Sequence, residues 1–195
     1  MKQIILASAI LLSTSSTLAM ENTWYLKSTY GKLDTDISTD LSDPNAWSFT
    51  LGYRFNKFLS IEGGHVDLGE AKDKKTYYGR FSTSIDNRTV STKATTLGLF
   101  LTTDITKDFY IGLRTGFQRW DEHYENNATY SYHGDYRDHY TKEWKHCNTN
   151  DENDLYYGVS AGWNYNNWSL SLEHTSFEMD ERKPSLSSLG LTYNF

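Results

Sequence analysis

A side-chain alternation of period two recurs along most of this chain and constrains its fold more than any other feature. Residues Ala46–Asn56 read AWSFTLGYRFN. Trp47, Phe49, Leu51, Tyr53 and Phe55 take one set of alternate positions; Ser48, Thr50, Gly52 and Arg54 take the other. Successive side chains of a strand point to opposite faces, so this segment is a strand with an apolar face and a small or polar one. Seven more segments share the habit: Thr23–Lys32, Phe58–Asp67, Thr95–Thr103, Phe109–Trp120, Leu155–Tyr165, Trp168–Phe177 and Ser185–Phe195. Two prolines and 15 % aromatic residues suit an all-β chain.

The connections alternate in length. Those around Asn56-Lys57, Asp104–Asp108 and Asn166-Asn167 are hairpin-sized. Leu33–Asn45, Leu68–Ser91, Asp121–Asp154 and Glu178–Pro184 are longer and polar. Eight strands, short turns at one end and long loops at the other predict an all-β, eight-stranded, antiparallel up-and-down transmembrane β-barrel. The short turns are expected in the periplasm and the long loops outside the cell. No run approaches the roughly 20 apolar residues of a spanning helix. A mean hydropathy of −0.67 is compatible with a barrel, whose strands meet lipid only at every second residue.

A soluble ligand-binding barrel would turn its apolar face inward. Three features favour the opposite orientation. Gly31, Gly52, Gly64, Gly98, Gly112, Gly116, Gly158, Gly162 and Gly190 collect on the polar face, as a narrow lumen requires. The same face carries Lys27, Arg54, Glu62, Arg114 and Glu173 within strands. Tyr53, Phe55, Phe109, Trp163, Trp168, Tyr193 and Phe195 gather on the apolar face near the short turns, as an interfacial girdle does.

The first residues follow another pattern. Lys2, the apolar run Ile4–Leu12 and the small-residue site Thr17-Leu18-Ala19 predict a signal peptide over Met1–Ala19. The barrel domain is then residues 20–195, with 18 basic and 25 acidic residues, a formal charge of −7. An acidic chain lacks the patch that neutralises phosphates, so nucleic acid is not expected as a partner. Cys147 is the one cysteine and forms no intramolecular disulfide.

Several motifs resemble the transmembrane domain of the OmpA-like outer-membrane proteins. They are Asn22-Thr23-Trp24-Tyr25, Leu51-Gly52-Tyr53-Arg54-Phe55-Asn56, Ile61-Glu62-Gly63-Gly64 and Asp104-Ile105-Thr106-Lys107-Asp108 with Leu113-Arg114. Leu172-Glu173 and the closing Ser188-Leu189-Gly190-Leu191-Thr192-Tyr193-Asn194-Phe195 complete them in the family's order. The resemblance implies that Tyr193 and Phe195 belong to a C-terminal signal for the barrel assembly machinery. It also implies an interior charge network using Glu62, Glu173 and Arg114. Thr29 and Phe100 stand where the family has inward lysines, so Lys27 and Arg54 are expected to supply the missing charge. Such a network is expected to be mostly paired and to fill the lumen rather than gate it. The family's larger members add a peptidoglycan-binding domain, for which this sequence gives no support.

Two segments invite chemical readings. His174-Thr175-Ser176 resembles the His-x-Ser of an outer-membrane lipid A deacylase, but the orienting acid would fall near Ser188 and Phe177 departs from the motif. A serine nucleophile needs both base and orienting acid, so no catalysis is expected. The Asp121–Asp154 segment holds His123, His133, His139, His146 and Cys147, yet their spacing fits no closed metal pattern, and no metal or other cofactor is expected. Tyr124, Tyr130, Tyr132, Tyr136, Tyr140 and Trp144 suit that segment to a surface protein or glycan. The expected role is therefore a structural outer-membrane barrel with surface-binding loops; a narrow pore for ions or small solutes is the alternative. Outer-membrane lipids, lipopolysaccharide and the assembly machinery are the other expected partners.

Overall fold

Half-buried strands satisfy their backbone polar groups by pairing side by side, and within a membrane the row must close. The computed structural model describes residues 22–35, 43–133, 139–179 and 182–195. The expected signal peptide, Met1–Ala19, lies outside the described residues, as does Tyr136. The strands are β1 (Thr23–Asp34), β2 (Asn45–Arg54), β3 (Leu59–Tyr78), β4 (Ser82–Asp104), β5 (Phe109–His133), β6 (His139–Tyr165), β7 (Trp168–Phe177) and β8 (Ser185–Asn194). Each is antiparallel to the next, and β8 returns to β1, giving a closed eight-stranded barrel.

Local chemistry builds the short turns. Asn56 Oδ1 accepts from the backbone N–H groups of Phe58 (2.8 Å) and Leu59 (3.0 Å). Thr106 Oγ1 accepts from Phe109 N at 3.2 Å. Asn166 takes the left-handed backbone (φ 52°) that asparagine tolerates well. At the seam, Phe195 N donates to Trp24 O at 3.0 Å.

The apolar face points outward. Trp24, Leu26, Phe49, Leu51, Leu99, Leu113, Val159 and Leu172 are all exposed on the barrel wall. Aromatic rings cluster at the short-turn end: Trp24 with Tyr53 (5.0 Å between centroids), Trp168 with Tyr193 (4.8 Å) and Tyr193 with Phe195 (5.2 Å).

Four strands run past the expected bounds. Leu68–Ser91 and Asp121–Asp154 are not irregular loops. β3 pairs with β4 as far as Tyr78↔Thr83, and β5 with β6 as far as His133↔His139. Above the lipid both faces of a strand are wet, so pairing persists without the apolar alternation that marks strands lower down. The wall changes character at Gly69, whose φ of +80° sits in a register shift between Asp67 and Glu70. Its N–H donates to Asp67 Oδ1 at 2.9 Å, forming a bulge just beyond the last β2–β3 pair, Trp47↔Asp67.

Inside, ring stacks on glycine. A Cβ at Gly52 would overlap the Tyr25 ring, one at Gly112 the Phe100 ring, and one at Gly162 the Tyr110 ring. Gly162→Ala is expected to destabilise the barrel by about 1–3 kcal/mol through overpacking, and Tyr110→Leu to relieve most of that cost. Urea unfolding of the two single variants and the double variant in lipid vesicles checks the pair; additive costs would contradict the contact.

Candidate functional site

The lumen holds two layers. In the lower one, odd-numbered strands each contribute a charge: Lys27 from β1, Glu62 from β3, Arg114 from β5 and Glu173 from β7. Lys27 Nζ lies 3.3 Å from Glu62 Oε1 and 3.5 Å from Glu173 Oε1. Arg114 Nε lies 3.6 Å from Glu62 Oε2, and its Nη1 donates to Glu173 Oε2. Tyr25 Oη donates to Glu62 Oε1 (2.8 Å), and Ser171 Oγ donates to Glu173 Oε1 (2.9 Å). Lys27, Glu62 and Glu173 are 3 %, 4 % and 6 % exposed, so the group is a desolvated square of two cations and two anions.

Phe100, at a position where the resemblance implies lysine, packs against both cations. Its ring centre is 5.5 Å from Lys27 Nζ and 5.1 Å from the Arg114 guanidinium carbon. Arg54 lies outside the square, its guanidinium carbon 5.5 Å from the centre of the Tyr25 ring. The space beside the square is a cavity of about 30 Å³, partly lined by Thr29, Ser48, Thr50 and Thr96. It has room for a water or two.

The upper layer is apolar. Leu33, Leu68, Trp120, Phe177, Met179 and Leu186 converge as a buried apolar plug at the long-connection end. Trp120 is 0 % exposed, and its Nε1 donates to Asp154 Oδ2 at 2.8 Å. Gln118 Nε2 donates to Glu178 O at 2.8 Å, and Arg182 pairs with Glu122 at 2.6 Å, drawing the last connection over the plug. These apolar residues sit on the inward face, where alternation alone predicts polar ones.

Above the plug, β2 and β7 have ended while β3–β6 continue. Residues 70–78, 82–93, 119–133 and 139–154 form a four-stranded sheet standing clear of the barrel. Its outer strands, the upper parts of β3 and β6, each pair on one side only among the described residues. The first hairpin (68–93) carries six basic and three acidic residues; the second (119–154) carries four and nine.

The remaining candidates are placed as follows. His174 and Ser176 face outward on β7, and His174 Nδ1 shares a hydrogen bond with Ser187 Oγ of β8 at 3.0 Å. Ser176 pairs with Ser185, so the neighbouring strand brings hydroxyls to this patch. In the second hairpin, His123 and Glu125 of β5 come together with Cys147, which lies far along the chain on β6. His133 and His139 are cross-strand neighbours by register.

A closed eight-stranded barrel with an outward apolar wall and a filled lumen defines an integral outer-membrane protein. The chain belongs to the outer membrane protein beta-barrel domain family, whose model matches residues 4–195. No curated protein sequence matches it. Among solved structures it is similar to Ail, the attachment invasion locus protein of Yersinia pestis, in complex with the heparin analogue sucrose octasulfate. That match has 14 % identity and a TM-score of 0.52, over 90 % of this chain and 100 % of that one. It is also similar to the N-terminal β-barrel domain of Pseudomonas aeruginosa OprF, with 8 % identity and a TM-score of 0.50 over 90 % and 98 % of the two chains.

Proposed function

We propose that this protein is a surface-binding barrel: the lumen is a rigid post, and the sheet above it is an adhesion or receptor surface for a protein or glycan. The observation that carries this is the four-stranded sheet beyond the lipid belt, with backbone donors and acceptors along two edges. An exposed edge can add a strand from a partner, and Tyr77, Tyr78, Phe81 and Trp144 supply exposed aromatic area. The basic first hairpin suits a sulfated glycan, the kind of ligand that the Yersinia pestis Ail structure holds.

In the same reading, Met1–Ala19 exports the chain, residues 20–195 form the barrel, and Tyr193 and Phe195 are read by the assembly machinery. Outer-membrane lipid and lipopolysaccharide surround the wall. The charge square rigidifies the lumen, and the plug above it favours this over conduction. The hydrolase reading of His174 and Ser176 has less support, because the imidazole's partner on β8 is the Ser187 hydroxyl and not an orienting carboxylate.

Replacing residues 72–89, which hold five of the first hairpin's six basic residues, with a short turn is the test. Cells displaying the full chain are expected to adhere to immobilised heparin or to cultured epithelial cells, and the shortened variant to neither. Its barrel should keep heat-modifiable gel mobility. Equal adherence by the two, or none by the full chain, would overturn the proposal.

A further inference from the structure

The second hairpin carries a cluster that the proposed adhesion role does not use. Glu125 and Cys147 are direct cross-strand partners, and His123 lies two residues along β5 on the same face. One donor atom from each—imidazole nitrogen, carboxylate oxygen, thiol sulfur—lies within 4.8 Å of the other two. Bonds of about 2.0–2.3 Å at tetrahedral angles put zinc ligands about 3.3–3.8 Å apart, so small side-chain rotations at an accessible site complete the geometry. We propose that His123, Glu125 and Cys147 form a surface Zn²⁺ site.

The chemistry of the set selects the ion. Thiolate, imidazole and carboxylate together suit borderline-soft Zn²⁺ and are a poor set for Ca²⁺ or Mg²⁺, which take oxygen ligands. One thiolate and one carboxylate balance its charge of two. Three protein ligands leave a position open for water or an external donor. The imidazole has a second contact, Nδ1 lying 3.2 Å from Thr149 Oγ1; with the proton on Nδ1, the Nε2 lone pair is available to a metal.

A cation already occupies the neighbourhood. Lys145 Nζ sits 2.8 Å from Glu125 Oε1. The ammonium is a single charge where Zn²⁺ brings two, and the ion displaces it from Glu125. The surrounding hairpin, nine acidic residues against four basic, raises the local concentration of cations.

The probe is Co²⁺, added to the reduced, untagged full chain in detergent micelles, with Zn²⁺ as competitor. The expected result is one equivalent of Co²⁺ giving a near-ultraviolet thiolate charge-transfer band and visible bands of tetrahedral intensity, both erased by Zn²⁺. Cys147→Ser abolishes the thiolate band. His123→Ala and Glu125→Gln each weaken binding about tenfold or more, since even partners behind a ligand are worth that much. Lys145→Ala tightens it. Heat-modifiable mobility confirms that each variant is folded. No thiolate band, or a band whose affinity ignores both His123→Ala and Glu125→Gln, would overturn the site.

Discussion

Glu173→Ala is expected to lower the stability of the barrel by about 3–5 kcal/mol, the usual result of removing one partner from a buried ion pair. Glu173 Oε2 accepts from Arg114 Nη1, and Oε1 lies 3.5 Å from Lys27 Nζ. Without that carboxylate two cations face Glu62 alone in a lumen with room for little water. The loss is one of charge balance more than of contacts, and a second substitution separates the two. Lys27→Met on the Glu173→Ala background restores one cation against one anion, Arg114 with Glu62. The double variant should therefore be more stable than Glu173→Ala alone, although it has lost more hydrogen bonds. Urea unfolding midpoints in lipid vesicles read both steps. A cost under about 1 kcal/mol for Glu173→Ala, or an additive double variant, would mean that water or Arg54 screens the square.

That square was legible because charge within an alternating strand is conspicuous. Lys27, Glu62, Arg114 and Glu173 each break an inward run of small residues, and the parity that makes Leu51 face lipid makes Glu62 face the lumen. Arg54 obeys the same parity, yet its height along β2 leaves it against Tyr25, because parity fixes the face and not the depth. The plug was hidden for the converse reason. Trp120, Phe177 and Leu186 share the inward parity of the polar residues but are apolar at strand ends, where the alternation of polarity fades; only closure of the ring shows that their side chains meet. The upper sheet lay beyond the reach of periodicity altogether. Lys72, Asp73, Lys74 and Lys75 alternate faces without alternating polarity, so their pairing with residues 86–89 leaves no trace in composition. Pairing of the same kind, between β5 and β6, brings the proposed zinc ligands together. Ligand spacing along one strand could not find them, because Cys147 reaches Glu125 only through the β5–β6 register.

Leu51→Arg is the sharpest test of the inside–outside assignment, with an expected cost of about 2–4 kcal/mol for a cation on the lipid face near the bilayer midplane. Leu51 is 50 % exposed in the bare barrel and pairs with Leu26 on one side and Gly63 on the other. Along its own strand Phe49 and Trp47 lie above it, and Tyr53 and Phe55 below, so an arginine there is far from either interface. The neighbouring Thr50 obeys a different rule. It points into the lumen beside Glu62, Arg114 and Glu173, where an arginine adds a third cation to a balanced square. Thr50→Arg should therefore be rescued by removing Lys27's charge, and Leu51→Arg should not. Conversely, thinner bilayers should soften Leu51→Arg, by bringing the headgroups nearer, and leave Thr50→Arg unchanged. Folding the four variants into vesicles of two acyl-chain lengths measures both dependences. A neutral Leu51→Arg, or one rescued by Lys27→Met, would turn the barrel inside out.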